Sequence, residues 1–590
     1  MARTLLGLAV SPGIAIGKTL VVENITQPVL RTPVAPEEVD HEVERMRGAI
    51  RRAAERAGTL AREAHERVGS EFASIFEAHR LMMEDPTLLS AVERVIRGKR
   101  INAEAALEEV VKDLLRRFES LGDVYLRERR VDLLDVAMEL QRALQGRSTP
   151  HLGRVGDDTV LIADDVPPSQ AIQLSASSVA GFASEAGGLT SHTTIIAKSL
   201  GIPAVVGVAG LLDEARGAPL VIIDGFEGHV VVDPDEALVQ VYRLRAAEYR
   251  RRQQELLQLA HLPARTVDGF EVALLANIDL SSELEAAHAG GASGIGLFRS
   301  EFLFMASSPR LPDEDEQAAA YETLLKAFPD GTVTIRTFDL GGRKLARQVI
   351  GSPEANPVLG LRGVRLCLQK PEFFRTQLRA LLRAAGSQPA ARMRIMVPLV
   401  AHLEEIRTVR VILARLGAEL RAEGMPVPER VPVGAMVEVP AAALIAEHLC
   451  REVDFLSIGT NDLTQYTLAV DRANEAVSEL FRSFHPAVLR LIDRVVTCGK
   501  RCAIPVGMCG EMAADPLAVP LLLGLGVREL SMHPPALPVV RSLVREISQR
   551  EARRIAQRAL ALATAKEVEE LLLENLSALL ARLKVRIRLS

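Results

Sequence analysis

Several short apolar runs of this 590-residue sequence end in residues able to grip anions and cations. The run at 294–299 continues through Arg299 into Ser300 and Glu301, and the run at 333–339 carries Arg336 and closes on Asp339. The run at 433–439 holds Glu438, the run at 454–460 opens into Asn461 and Asp462, and the run at 504–510 leads through Cys509 to Glu511. Arginine binds phosphate and carboxylate bidentately. Taken singly, an arginine at such a place is a rim ion-pair partner. Gathered at one mouth, Arg299, Arg336, Arg362 and Arg472 would repel one another unless an anion lay between them. Glu438 and Asp462, at the ends of neighbouring strands, admit two readings. They form internal ion pairs with those arginines, or they hold Mg²⁺, a hard cation that takes one or two carboxylates with waters and substrate oxygens. Arginines beside Mg²⁺ suit a small substrate bearing both phosphate and carboxylate.

A second segment runs from Gly187-Gly188-Leu189 through Thr190, Ser191 and His192 to Gly201 and Pro203. The glycines admit a tight turn, Thr190 and Ser191 can cap a helix starting near His192, and Gly201 with Pro203 ends it. A histidine at a helix N-terminus meets free N–H donors and the positive end of the dipole, which favour an anion and disfavour imidazolium. Two readings fit: a capping histidine in a glycine-rich turn, or a neutral imidazole poised as nucleophile toward a phosphoryl group.

The elements that must position these groups follow from pattern. Residues 1–30 are β-like. From about 34 to 146 the chain reads as long amphipathic helices with few glycines, at 36–66, around 71–83, at 103–121 and at 123–144. Alternating β and α signals return at 158–233. The pattern predicts an α/β multidomain protein: a β/α domain (1–33 and 147–234) with a helical bundle inserted at 34–146, and a polar linker helix at 235–262. A barrel follows at 263–575, with a tail at 576–590. Eight strand candidates in that third region (272–278, 294–299, 333–339, 394–400, 433–439, 454–460, 504–510 and 529–532) match a (β/α)8 TIM barrel, in which chemistry sits at the C-terminal strand ends.

Composition narrows the classes. Apolar residues make up 48% and charged residues 25%, which supports several packed cores and excludes a disordered chain. A net charge of −5 shows no domain-sized basic surplus for nucleic acid. Five cysteines in an odd, sparse set fit a reducing cytoplasm, and no histidine or acidic partner completes a metal set at Cys498 and Cys502. No apolar run is long enough to span a membrane, and residues 1–20 lack the pattern of a leader.

The segment Gly187–Gly207 resembles the phosphohistidine segment of the phosphoenolpyruvate-utilising enzymes, and Asp454–Arg472 resembles their barrel signature. Ser11–Gly17, the helical insertion, Gly296–Met305, Arg336–Gly342 and Gly507–Glu511 extend the similarity over nearly the whole chain. Within that group it is most similar to the Enzyme I family of the bacterial sugar phosphotransferase system. The resemblance implies a swivelling phosphohistidine domain and a barrel that binds phosphoenolpyruvate. It implies that His192 accepts the phosphoryl group at Nε2, and that Arg299, Arg336, Arg472, Asn461 and the Asp462 backbone hold the substrate. It further implies that Glu438 and Asp462 ligate Mg²⁺ and that Cys509 protonates the enolate of pyruvate. The acceptor would be a histidine of the phosphocarrier protein HPr, docked on the helical insertion near His79, Glu84, Asp85 and Arg129. A cytoplasmic homodimer is implied as well. The chain departs from the family at Leu189 and Lys198, where arginine is common, and at Arg343, where an acidic residue is frequent. The dikinase and synthase relatives carry an ATP-grasp domain for which the insertion leaves no room. The nitrogen-related form adds a sensor domain ahead of the segment that begins here at Ser11. A non-catalytic regulator would have lost His192, Glu438 or Cys509.

Overall fold

The computed structural model describes residues 2–22, 29–67, 70–120, 124–146, 156, 158–164, 179–187, 202–306, 311–339, 356–388, 392–472 and 474–583. The chain divides into two compact units, Met1–Arg252 and Gln253–Ser590.

The first unit holds eight strands: β1 (Arg3–Leu6), β2 (Leu8–Ser11), β3 (Ile14–Val22), β4 (Thr159–Ala163), β5 (Gly181–Ser184), β6 (Ala204–Val206), β7 (Leu220–Asp224) and β8 (His229–Val232). They form one mixed sheet in the order β1-β8-β7-β3-β4-β5-β6-β2. Only Gly7 separates β1 from β2, yet the two take opposite edges, so the sheet must roll toward closure. Its core is built from β-branched residues that favour the pleated surface, among them Val160, Ile162, Val221, Ile223, Val230 and Val232.

Between β3 and β4 lie five helices: α1 (Val39–Arg67), α2 (Ser70–Met83), α3 (Pro86–Lys99), α4 (Ala103–Ser120) and α5 (Val124–Leu144). Four coincide with the expected helices, and α3 is an addition. The pair Asp85-Pro86 looks like the end of α2 but begins α3. The Asp85 carboxylate accepts the Thr87 N–H (2.7 Å), and Pro86 occupies a first-turn position that needs no donor. Val43, Met46, Val92, Ile96, Leu107 and Leu140 form the bundle's own apolar core. Farther along, the helix Glu236–Gln258 lays Val239 and Tyr242 against Ile222 and Val231 of the sheet.

The second unit is a closed barrel of eight parallel strands: β9 (Ala273–Ile278), β10 (Gly294–Arg299), β11 (Thr332–Arg336), β12 (Arg392–Val397), β13 (Val433–Val437), β14 (Phe455–Ile458), β15 (Val506–Met508) and β16 (Glu529–Met532). All eight fall where the sequence places them. Most end two or three residues early, because the residues beyond turn outward to form the mouth. Leu297, Met396, Met436, Phe455 and Cys509 fill the lumen. Below them Arg394 of β12 reaches Glu529 of β16 (3.0 Å) and lies over the Phe455 ring, with 5.2 Å from guanidinium to ring centroid. These strands stand on opposite sides of the ring, so the pair crosses the barrel floor. The last helix, Ala565–Arg582, buries Val568, Leu572, Leu576 and Leu580 and continues past residue 575. Among the described residues no helix is long and apolar enough to cross a membrane.

Candidate active site

Each barrel strand delivers one or two polar groups to the C-terminal mouth. Arg299 ends β10 and directs Nη1 at both oxygens of Asp279, at 3.0 and 2.9 Å. Arg336 ends β11 and pairs with Glu301 and Asp339, each at 3.2 Å. Glu301 also accepts the Asp339 N–H. Arg362 clasps Asp339 through two hydrogen bonds (3.0 and 2.7 Å) and reaches Asp462 at 2.9 Å and the Tyr466 hydroxyl at 3.2 Å. Arg472 lies 3.7 Å from Asp462 with its side chain 47% exposed, the most open of the four.

The expectation that these arginines need an anion to sit together is therefore corrected. Asp279, Glu301, Asp339 and Asp462 already offset their repulsion. What the pairing leaves over is more specific. Nε of Arg336 and Oε2 of its ion-pair partner Glu301 are both buried without a hydrogen-bond partner among the described residues. A donor so placed is costly unless something accepts from it.

The acidic side holds three groups. Oxygens of Asp339, Glu438 and Asp462 all lie within 4.8 Å of one another. Glu438 follows β13, is buried, and accepts the Leu399 N–H at 2.6 Å. Burial, then Asp339 and Asp462, push its carboxyl up to about 8. A hard divalent cation fits this all-oxygen donor set, and its charge would let all three ionise. Sequence reasoning names Glu438 and Asp462 as a cation pair and does not include Asp339, which the structure brings beside them. Its signal was its place at the end of the third strand, but three residues after Arg336 it reads as a simple ion-pair partner.

Backbone geometry holds the acids together. Leu399 has φ of +55°, a left-handed conformation that non-glycine residues adopt at a cost, and this turns its N–H onto Glu438. Opposite it, Gly363 also has φ of +55°, and a Cβ there would stand 2.7 Å from the Leu399 Cβ. Gly363→Ala is expected to destabilise the barrel by ~1–3 kcal/mol through overpacking and strain. It should also weaken divalent-cation binding, as read by denaturant unfolding and Mn²⁺ titration.

Cys509 follows β15 and is buried in the lumen beneath these charges. The Ser457 hydroxyl donates to its sulfur at 3.3 Å, and Asn277 Nδ2 donates to its carbonyl at 3.0 Å. Burial pushes the thiol above its ordinary value, and Glu438 adds to the shift. Asn461 and Glu511 exchange two hydrogen bonds of 3.1 Å, tying the mouth loops after β14 and β15 together. Gly510 makes that approach possible, since a Cβ there would fall 1.9 Å from Thr460 Oγ1.

Thus Arg299, Arg336, Glu438, Asn461, Asp462, Arg472 and Cys509 are all placed at the barrel mouth or just beneath it. His192, Leu189, Lys198 and Arg343 lie outside the described residues. In the helical bundle, His79 is no surface residue. It is 2% exposed, with Nε2 3.5 Å from Asp132 and Nδ1 3.6 Å from Asp135. Spaced three and four residues from buried Phe76 and Met83, it belongs to the inward stripe of α2. Glu84 pairs with Arg80 at 3.4 Å, Asp85 caps α3, and the side chain of Arg129 lies outside the described ones.

Comparison with known proteins agrees with this architecture. Residues 253–549 match the PEP-binding domain of the PEP-utilising enzymes, residues 6–129 their N-terminal domain and residues 155–228 their mobile domain. The phosphoenolpyruvate-protein phosphotransferase of Geobacillus stearothermophilus is 41% identical over 566 residues, 96% of this chain and 97% of that protein. The protein of the same name from Cupriavidus necator is 42% identical over 550 residues, covering 91% and 93%. A solution structure of an Enzyme I protein is 37% identical, covers 42% of this chain and 99% of its own, and has a TM-score of 0.37.

Proposed function

This chain belongs to the PEP-utilising enzymes and transfers the phosphoryl group of phosphoenolpyruvate to protein, and from that premise we propose which residues carry each step. The observation that carries the assignment is the gathering at one barrel mouth of Arg299, Arg336 and Arg472 beside the acid cluster, with the buried thiol beneath them. Arg336, Arg299 and Arg472 bind the phosphate and carboxylate of phosphoenolpyruvate, with Asn461 and the Asp462 backbone completing the cradle. Asp339, Glu438 and Asp462 would hold Mg²⁺, which when bound supplies charge neutralisation at phosphoryl oxygens. Nε2 of His192 attacks phosphorus, the bond to the enol oxygen breaks, and the electron pair stays on the enolate. The Cys509 Sγ–H, kept protonated by burial, gives its proton to the methylene carbon, and pyruvate leaves. The phosphoryl group then passes from His192 to a histidine of HPr, docked on the helical bundle. His192 must visit both places, and we assign the pivots to segments 148–158 and 235–260. By the same kinship the protein acts as a cytoplasmic homodimer, a setting that suits its five free thiols.

Intact-protein mass spectrometry after incubation with phosphoenolpyruvate and Mg²⁺ tests this reading. The wild type should gain a single acid-labile phosphate, and His192→Ala none. ATP should not substitute. Phosphate retained in the variant, or absent from the wild type, would reject the assignment.

A further inference from the structure

Under the mouth, a chain of neutral side chains ties the end of β10 to the end of β11. Gln377, wholly buried on the helix Pro371–Ser387, accepts the Phe338 N–H through Oε1 at 3.1 Å. Its Nε2 donates to Ser300 Oγ at 3.0 Å and to the Tyr321 hydroxyl at 3.2 Å. The Ser300 hydroxyl donates to the Arg336 carbonyl at 2.8 Å, and the Tyr321 hydroxyl donates to Gln317 Oε1 at 3.3 Å. Gln317 in turn donates to the Pro312 carbonyl at 3.0 Å. Ser300, Tyr321 and Gln317 are as buried as Gln377, so no bulk water competes for these bonds.

The directions of these bonds are fixed. Turning the Gln377 amide over would set Nε2 against the Phe338 N–H, two donors facing each other. In a buried network with every partner satisfied, one side chain then dictates a single arrangement of its neighbours. The neighbours are the informative part. Ser300 lies between Arg299 and Glu301, Phe338 directly precedes Asp339, and the carbonyl held by Ser300 belongs to Arg336. Gln377 itself makes none of the ion pairs at the mouth. Four charged groups of the site are nonetheless one covalent step, or one relayed hydrogen bond, from its amide.

We propose that Gln377 is a positioning residue, whose amide locks the β10 and β11 ends at the spacing that sets Arg299 and Arg336 on the substrate and Asp339 beside Glu438 and Asp462. This rests on the phosphoenolpyruvate-binding role given to the barrel above. Affinity for substrate and for the divalent cation then depends on a side chain that meets neither.

Three full-length variants test it: Gln377→Met, which keeps length and removes all three bonds; Ser300→Ala, which cuts only the relay to Arg336; and Tyr321→Phe, which cuts the branch leading away from the mouth. Each is measured for thermal midpoint, for KM and kcat with phosphoenolpyruvate, and for Mn²⁺ binding without substrate. Gln377→Met should raise KM about tenfold or more and weaken Mn²⁺ binding severalfold, with kcat changed less than KM. Ser300→Ala should raise KM severalfold. Tyr321→Phe should lower the midpoint with KM unchanged. A lowered midpoint with wild-type KM and Mn²⁺ affinity in Gln377→Met would make the glutamine merely structural and overturn the proposal. If that variant does not fold, Ser300→Ala decides by the same split. Failure of the wild type to accept phosphate from phosphoenolpyruvate would instead count against the assigned reaction, and Mn²⁺ affinity would still judge Gln377.

Discussion

Arg336→Met is expected to lower kcat/KM for phosphoenolpyruvate by about 10³-fold, the order seen when a buried cation aimed at transferring phosphate is removed. Two effects add. The substrate loses one of the arginines assigned to its phosphate and carboxylate. Glu301 and Asp339, each 3.2 Å from the guanidinium, lose their shared cation. Removing one member of a buried ion pair costs about 3–5 kcal/mol, and Asp339 keeps Arg362 as partial compensation. Steady-state kinetics and denaturant unfolding should therefore both change. Arg336→Lys separates the two effects, because it restores charge without the planar fork and should recover stability more than activity. An Arg336→Met enzyme within tenfold of wild type would remove this side chain from the substrate cradle.

Cys509→Ala should lower kcat by about 10²–10⁴-fold, the range of a positioned general acid, with little change in KM. The thiol lies in the lumen against Leu297, Met396, Met436 and Phe455, where burial raises its pKa above the ordinary value of about 8.5. The sign matters. A raised pKa keeps the sulfur protonated through neutral and mildly alkaline pH, as a proton donor requires. Ionisation of this thiol should therefore not limit the wild-type rate at neutral or mildly alkaline pH. The check is pyruvate formation followed in time beside phosphate uptake by the protein, with circular dichroism to confirm an intact fold. An unchanged kcat would mean that another group or water delivers the proton.

Much of the barrel and part of its chemistry can be read from sequence. Short apolar runs ending in Arg299, Arg336, Glu438, Asp462 and Cys509 locate strand ends, because reactive groups of a barrel gather where the strands open at their C-terminal face. The limits have physical causes. Asp339 joins Glu438 and Asp462 only when three separate loops converge, which no local spacing records. Four arginines look mutually repulsive until Asp279 and Glu301 arrive from other loops. Gln377 sits mid-helix among apolar neighbours and shows its role only through the atoms it meets. In the bundle, α3 hid behind a proline that starts it, and His79 hid in a polar name at an apolar helix position.

The ion pair between Arg394 and Glu529, seated under Phe455, spans the base of the barrel and gives it the form of a cup. Under the reaction proposed above, pyruvate formed beside Cys509 meets this pair below and leaves by the opening through which its precursor came. Entry of substrate and escape of product thus share one opening.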